Sequence, residues 1–285
     1  VRSSAASDVY KRQEYEELYH AISTQAPDDL ARELSISEDK AELLLPTAMI
    51  YHNIFEETDA EFMWLSGITI CDGMAADFAE CKEHIVPAHP FSDDIISVSR
   101  KLAERFCCDT EHIHQVEIAA LKLFDALRKA NHLTKKDRLL LQIAAILHNC
   151  GSFLNLNDIG ENSYKIVTST EIIGLSHQER MIVAYVIRYT TGDFPEYSEI
   201  KNEFSREEYI KIAKLNAILC LADAMDRSHQ QKFTNFTVRK RGYDLTITGQ
   251  TLYDITLEHG MFIQKSPFFE EAFGIRPVLR QKKCL

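Results

Sequence analysis

The stretch LHNCG, residues 147–151, closes an apolar run, TKKDRLLLQIAAILHN (134–149), and its reading decides the fold. Leu141 and Ala144 lie seven and four residues before His148, so at helical spacing the imidazole falls on the same buried stripe, at the helix end. Asn149, Cys150 and Gly151 then break the run. Three readings stand open: a metal site, the remnant of one, or a helix end whose histidine bonds nearby backbone.

Two other helices carry the same anomaly. In DTEHIHQVEIAALKLFDALRKAN (109–131), Val116, Ala119, Ala120, Leu123 and Leu127 share a face, and His112 precedes Val116 by four on that face. In SREEYIKIAKLNAILCLADAMDRS (205–228), Ile212, Leu219 and Ala222 define the inner side, with Asp223 four residues after Leu219. Two imidazoles and one carboxylate therefore aim into one helical core. Burying such groups is costly unless they find partners, and a shared metal or a mutual hydrogen-bond network would satisfy all three. The plainer alternative is three separate core polar residues, each bonded to local backbone.

Working outward, one grammar recurs after residue 90: a capping Ser, Thr or Asp, an acidic residue in the first turn, then an apolar stripe. Ser92, Asp109, Thr134 with Asp137, Ser176 with Glu179, and Ser205 with Glu208 predict five helices. FTVRKRGYDLTITG (236–249) alternates apolar and polar residues about Gly242 and predicts a β-hairpin near 233–250. Ser266 and Pro267 predict the start of a short terminal helix that stops near Gly274.

Residues 14–83 differ. A helix over about 37–55, despite Pro46, leads to an apolar run at 67–71, the one possible strand, and then another helix. Such a segment makes a small core by itself. KEHIVPAHPF marks a linker over 84–91, and VRSSAASDVYKRQ (1–13) reads as a non-native leader, set aside from the fold.

Of 285 residues, 45% are hydrophobic and 26% charged, the balance of a globular protein of one or two domains. A net charge of −11 argues against generic nucleic-acid binding, which relies on accumulated Lys and Arg. No apolar run is long enough for a membrane span and the start lacks a signal-peptide pattern, so the cytoplasm is expected. Seven cysteines without CxxC spacing read as reduced, mostly buried thiols. Phe262, Phe268, Phe269 and Phe273, with Tyr185 and Tyr189, read as core or as the buried part of a dimer interface.

His112, LHNCG, ENSYKIV, VIRYT and LADAMDRS, in this order, resemble the successive signatures of an HD-type helical domain. More narrowly, LHNCG, NSYKIV, IIGLSHQERMIVAYVIRY, LADAMDRSH and FFEEAFGIRPV resemble the C-terminal half of the exopolyphosphatase and guanosine pentaphosphate phosphohydrolase family. ISEDKAELLLPTAMIYHNI and GITICDGMAADF resemble the end of that family's preceding actin-like domain. The resemblance implies a mainly α fold: an HD-like all-α domain with a small β-hairpin over 92–285, preceded over 14–83 by the C-terminal remnant of an actin-like (ribonuclease H-like) α/β domain.

It also implies hydrolysis of terminal phosphoanhydride bonds of inorganic polyphosphate or guanosine pentaphosphate by the intact parent, with magnesium and a catalytic glutamate held in the actin-like lobes. No catalytic residue is expected in this chain, and no cofactor bound by it. His112, His148 and Asp223 match the family's metal ligands, but Asn149 stands where the doublet has aspartate, and Asn162 and Thr190 stand where histidines are common. A degenerate metal site is the expectation. Arg188, Arg227, His229 and Lys232 are expected to hold polyanion, in a homodimer, with Arg239, Lys240 and Arg241 either joining them or simply solvating the hairpin edge. The alternatives are a non-catalytic polyphosphate or nucleotide-binding regulatory module, and an independent HD-type metal-dependent phosphohydrolase.

Overall fold

The computed structural model describes residues 8–65, 69–83, 91–128, 132–233 and 235–282. They fall into two units, Val1–Ala88 and His89–Leu285. The linker expected at 84–91 lies, except for Phe91, outside the described residues.

The first unit contains β1 (Asp8–Lys11), α1 (Arg12–Thr24), α2 (Pro27–Leu34), α3 (Glu38–Glu56), β2 (Phe62–Leu65) and α4 (Ile70–Glu83). Residues 8–13, set aside in the sequence reading, are part of this fold. β1 pairs antiparallel with β2, Asp8 opposite Leu65 and Lys11 opposite Phe62, and the Arg12 N–H donates to Glu61 O at 2.9 Å. The strand lies at Phe62–Leu65, while of the run at 67–71 where one was expected, 67 and 68 lie outside the described residues and Ile70 and Cys71 belong to α4. The reason is local: the Asp72 carboxylate accepts from the Thr69 N–H at 2.8 Å, and Thr69 Oγ1 accepts from the Asp72 N–H, so Thr69 caps α4 and draws Ile70 into the helix. Ile22, Leu30, Ala31, Ala41 and Ala48 form a core of its own, small as the length demands.

The second unit runs α5 (Phe91–Arg105), α6 (Thr110–Leu127), α7 (Lys135–Leu147), a 3-10 turn (Cys150–Phe153), α8 (Ile159–Ser169), α9 (His177–Arg188), α10 (Tyr197–Ile200), α11 (Arg206–Ala224), β3 (Asn235–Arg241), β4 (Asp244–Gln250), α12 (Thr256–Phe273) and β5 (Arg276–Lys282). Asp109, Thr134, Ser176 and Ser205 each accept the N–H three residues on, as their spacing predicts. Ser92 lies inside the first turn of α5 instead of before it. α7 touches α5, α6, α9 and α11 and is wholly buried from Ile143 to Leu147, so LHNCG ends the central helix of the bundle. Tyr185, Phe262 and Phe269 are core, as expected.

Two features differ from the pattern reading. α12 begins at Thr256, ten residues before Ser266, because the Asp254 carboxylate accepts both the Thr256 N–H at 2.9 Å and its hydroxyl at 2.6 Å. Pro267 is then interior. Lacking an N–H, it cannot donate to Ile263 O. Gly274, at φ 63, closes the helix through its N–H to Glu270 O. Secondly, the hairpin is two-thirds of a sheet: β5 pairs parallel with β4, and α12 supplies the crossover that a parallel pair requires.

Gly151 is explained by packing. A Cβ there would stand 2.2 Å from Ile159 O and 2.6 Å from Ser163 N, so only glycine lets the 3-10 turn meet the start of α8. Ser163 stitches the contact, its hydroxyl donating to His148 O at 2.9 Å and accepting the Gly151 N–H at 2.7 Å. We predict that Gly151→Ala lowers stability by about 1–3 kcal/mol, the range of overpacking. Gly192→Ala, where a Cβ meets nothing within 4 Å, serves as the control in thermal or urea unfolding. Equal stability of both variants would contradict the packing role.

Candidate functional site: a histidine–aspartate cluster

α6, α7 and α11 bring the three anomalous residues to one point. His112, in the first turn of α6, is 1% exposed; His148, the cap of α7, is 4% exposed; the Asp223 side chain, in the last turn of α11, is 15% exposed. His112 Nε2 lies 3.2 Å from His148 Nε2 and 3.4 Å from Asp223 Oδ1, and His148 Nε2 lies 3.6 Å from the same oxygen. One ligand atom from each residue falls within 4.8 Å of the other two, a spacing that could hold a metal ion.

The outward nitrogens settle the tautomers. His148 Nδ1 is 2.7 Å from Ala145 O, which only accepts, so Nδ1 carries a proton and Nε2 offers a lone pair. His112 Nδ1 is 2.9 Å from Asp226 Oδ2, so it too is a donor. With both imidazoles neutral, two lone pairs and a carboxylate would face one another. A single cation resolves the repulsion: either a proton on His112 Nε2, shared toward His148 and Asp223, or a metal ion.

Electrostatics favour charge at this point. Burial alone would depress the His112 imidazolium, but Asp223 and Asp226 outweigh it and push its pKa up to about 9. Burial likewise raises the Asp223 carboxyl, yet hydrogen bonds and charge from His112 and His148 hold it far below the usual carboxylate range.

Asp226 was not singled out by sequence reasoning, although it is 1% exposed and fixes the His112 ring; its Oδ1 also accepts the Gln231 N–H at 2.7 Å. Its signal was the i, i+3 spacing from Asp223 across the end of α11. His229 stacks on His112 with centroids 3.6 Å apart, and its Nδ1 lies 2.9 Å from Asp109 Oδ2. His229 and Gln231 adopt φ of 54° and 45°, a left-handed bend that returns the chain over the cluster.

A pocket of about 350 Å³ opens onto the cluster, lined among others by His112, His148, Asn149, Thr190, Asp223, Arg227 and His229. Asn149 and Thr190 thus belong to the site, whereas Asn162 does not line it. Of the four residues expected to hold polyanion, Arg227 and His229 line this pocket, while Arg188 and Lys232 do not. All four face carboxylates: Arg188 with Glu161 at 2.7 Å, Arg227 with Asp223 at 3.7 Å, His229 with Asp109, and Lys232 with fully buried Glu258 at 3.0 Å.

The profile of the family described as Ppx/GppA phosphatase, domain III, matches residues 96–264, more than half of the chain and all of the cluster. No curated protein matches the chain.

The proton-bridged form makes stability depend on pH. His112 has a folded pKa above its ordinary value of 6.5, so its contribution is complete below about pH 6.5 and is lost as pH rises through about 9. Asp223, depressed, contributes above the usual carboxylate range and loses nothing in that window. In chelator-treated buffer, unfolding free energy should fall by about 2–3 kcal/mol between these pH values, and His112→Gln should flatten the fall. An equally steep fall in the variant would contradict the assignment.

Proposed function

Because the chain belongs to the Ppx/GppA phosphatase family, we propose that it serves hydrolysis of terminal phosphoanhydride bonds of inorganic polyphosphate or guanosine pentaphosphate, its helical unit holding the substrate. The observation that carries this reading is the family match over the bundle that contains the cluster. Cleavage belongs, in this reading, to an actin-like phosphatase domain with magnesium, of which residues 14–83 are the C-terminal part. The protein works in the cytoplasm as a homodimer; among the described residues no helix is long and apolar enough to cross a membrane.

The polymer would be held on the outer face of the β3–β4–β5 sheet. Arg188, Arg227, His229 and Lys232 already have carboxylate partners, so their attraction for a second anion is largely spent. Arg239, Arg241, Arg280 and Lys282 are exposed, alternate with inward-facing Phe236, Pro277 and Leu279, and flank Thr246 and Thr248 of the middle strand. Phosphate oxygens accept well from guanidinium and hydroxyl donors, and such binding is screened by salt. A labelled polyphosphate should bind the chain and weaken as salt rises. Combined Arg239→Ala, Arg280→Ala and Lys282→Ala should lower affinity at least about tenfold. Unchanged affinity in the triple variant would remove the sheet from the reading.

A second reading is metal-dependent hydrolysis at the cluster itself. It is favoured by the convergence of His112, His148 and Asp223, with Asp226 orienting His112 as outer partners orient metal-bound histidines. The asparagine at 149 weighs against it, since a neutral amide replaces an anionic ligand for a hard cation. Stoichiometric metal in purified protein that disappears in His148→Ala would support this reading. Metal at trace level in the wild type would end it.

A further inference from the structure

Beside the cluster lies a second juxtaposition of side chains, a pair of buried thiols. Cys108 and Cys150, 42 residues apart, stand with their Sγ atoms 3.3 Å from each other, and both are buried. A disulfide needs about 2.05 Å, so closure demands a movement of little more than an ångström. Neither residue is held in an α-helix. Cys108 ends the loop between α5 and α6, next to Asp109, the cap of α6, and Cys150 opens the 3-10 turn after Asn149. The loop bends through Cys107, which is exposed, takes φ 50° and lines the pocket that opens onto His112 and His148. A water-sized oxidant thus has a path to within one residue of the pair.

We propose that Cys108 and Cys150 are a redox modification site: a peroxide converts them to a reversible disulfide that clamps the start of α6 to the end of α7, beside the histidine–aspartate cluster. The peroxide oxygen is transferred to the Cys108 sulfur, giving a sulfenic acid, and the peroxide leaves as water, or as an alcohol if it is organic. The Cys150 thiol then attacks that sulfur, the S–O bond breaks, a water molecule departs and the S–S bond forms. The two thiols are oxidised by two electrons and the peroxide is reduced by two. A thiol reductant reverses the step by exchange, becoming a disulfide itself. The bond spans the two elements that carry His112 and His148, so oxidation fixes the spacing of the imidazoles.

The test treats the full chain with hydrogen peroxide, blocks remaining thiols, and reads crosslinked peptides by mass spectrometry. The expected product joins the Cys108 and Cys150 peptides with the loss of two hydrogen masses, is undone by dithiothreitol, and persists in Cys107→Ser. Amide exchange over 107–112 and 148–153 should slow at least about tenfold in the oxidised protein, while α12 is unchanged. Cys108→Ser and Cys150→Ser should each abolish the crosslink; if either variant fails to fold, the wild-type peptide map decides alone. A map showing a crosslink through Cys107, over-oxidised Cys108 or Cys150, or two intact thiols after Cys107 has been oxidised would overturn the proposal.

Discussion

Three hydrogen-bond acceptors, two on buried histidines and one on half-buried Asp223, face one another and repel unless a cation lies between them, and the middle of this protein is arranged around that requirement. His112 Nε2, His148 Nε2 and Asp223 Oδ1 are mutually within 3.6 Å, while Ala145 O and Asp226 fix the far sides of both rings. Removing any one of them leaves the others with unpaid desolvation in a low-dielectric interior. The cluster therefore couples α6, α7 and α11 more tightly than apolar packing would alone.

LHNCG holds this arrangement in register. His148 enters the cluster through its side chain and anchors α8 through its carbonyl and Ser163; Gly151 lets the turn approach α8; Cys150 packs against Cys108 under the start of α6. Five residues thus join three neighbouring elements. The opening alternatives of helix end and ligand cluster are not exclusive: the segment is both, and the identity of the cation decides between a structural bridge and a metal site.

Much of this was legible in the sequence because it is local. Helix caps are read over three residues, and the inward placement of His112, His148 and Asp223 follows from spacing along single helices. What escaped was non-local or contradictory. β5 pairs with β4 across the whole of α12, so its partner cannot be inferred from its own residues. Pro267 and Ser266 imitate a helix start, but the helix begins earlier, at Thr256, whose N–H and hydroxyl Asp254 accepts. The apolar run near residue 70 imitates a strand until Thr69 and Asp72 are seen as a cap. Arg188 and Lys232 are expected from the sequence to hold polyanion, and the carboxylates that pair with them in the fold, Glu161 and Glu258, come from other elements.

That pairing also redistributes the charge of the molecule. In a chain of net charge −11, Arg188, Arg227, His229 and Lys232 of the bundle face carboxylates, while Arg239, Arg241, Arg280 and Lys282 of the sheet are exposed. The core cluster lies between α6, α7 and α11, whereas that group of side chains stands on the sheet. The central claim concerns the bridge, and nitrogen-15 NMR of the histidine rings in chelator-treated protein reads it directly. The His112 ring should keep protons on both nitrogens up to about pH 9, and His148 should carry its proton on Nδ1. A His112 ring that becomes neutral near its ordinary pKa of 6.5 would contradict it.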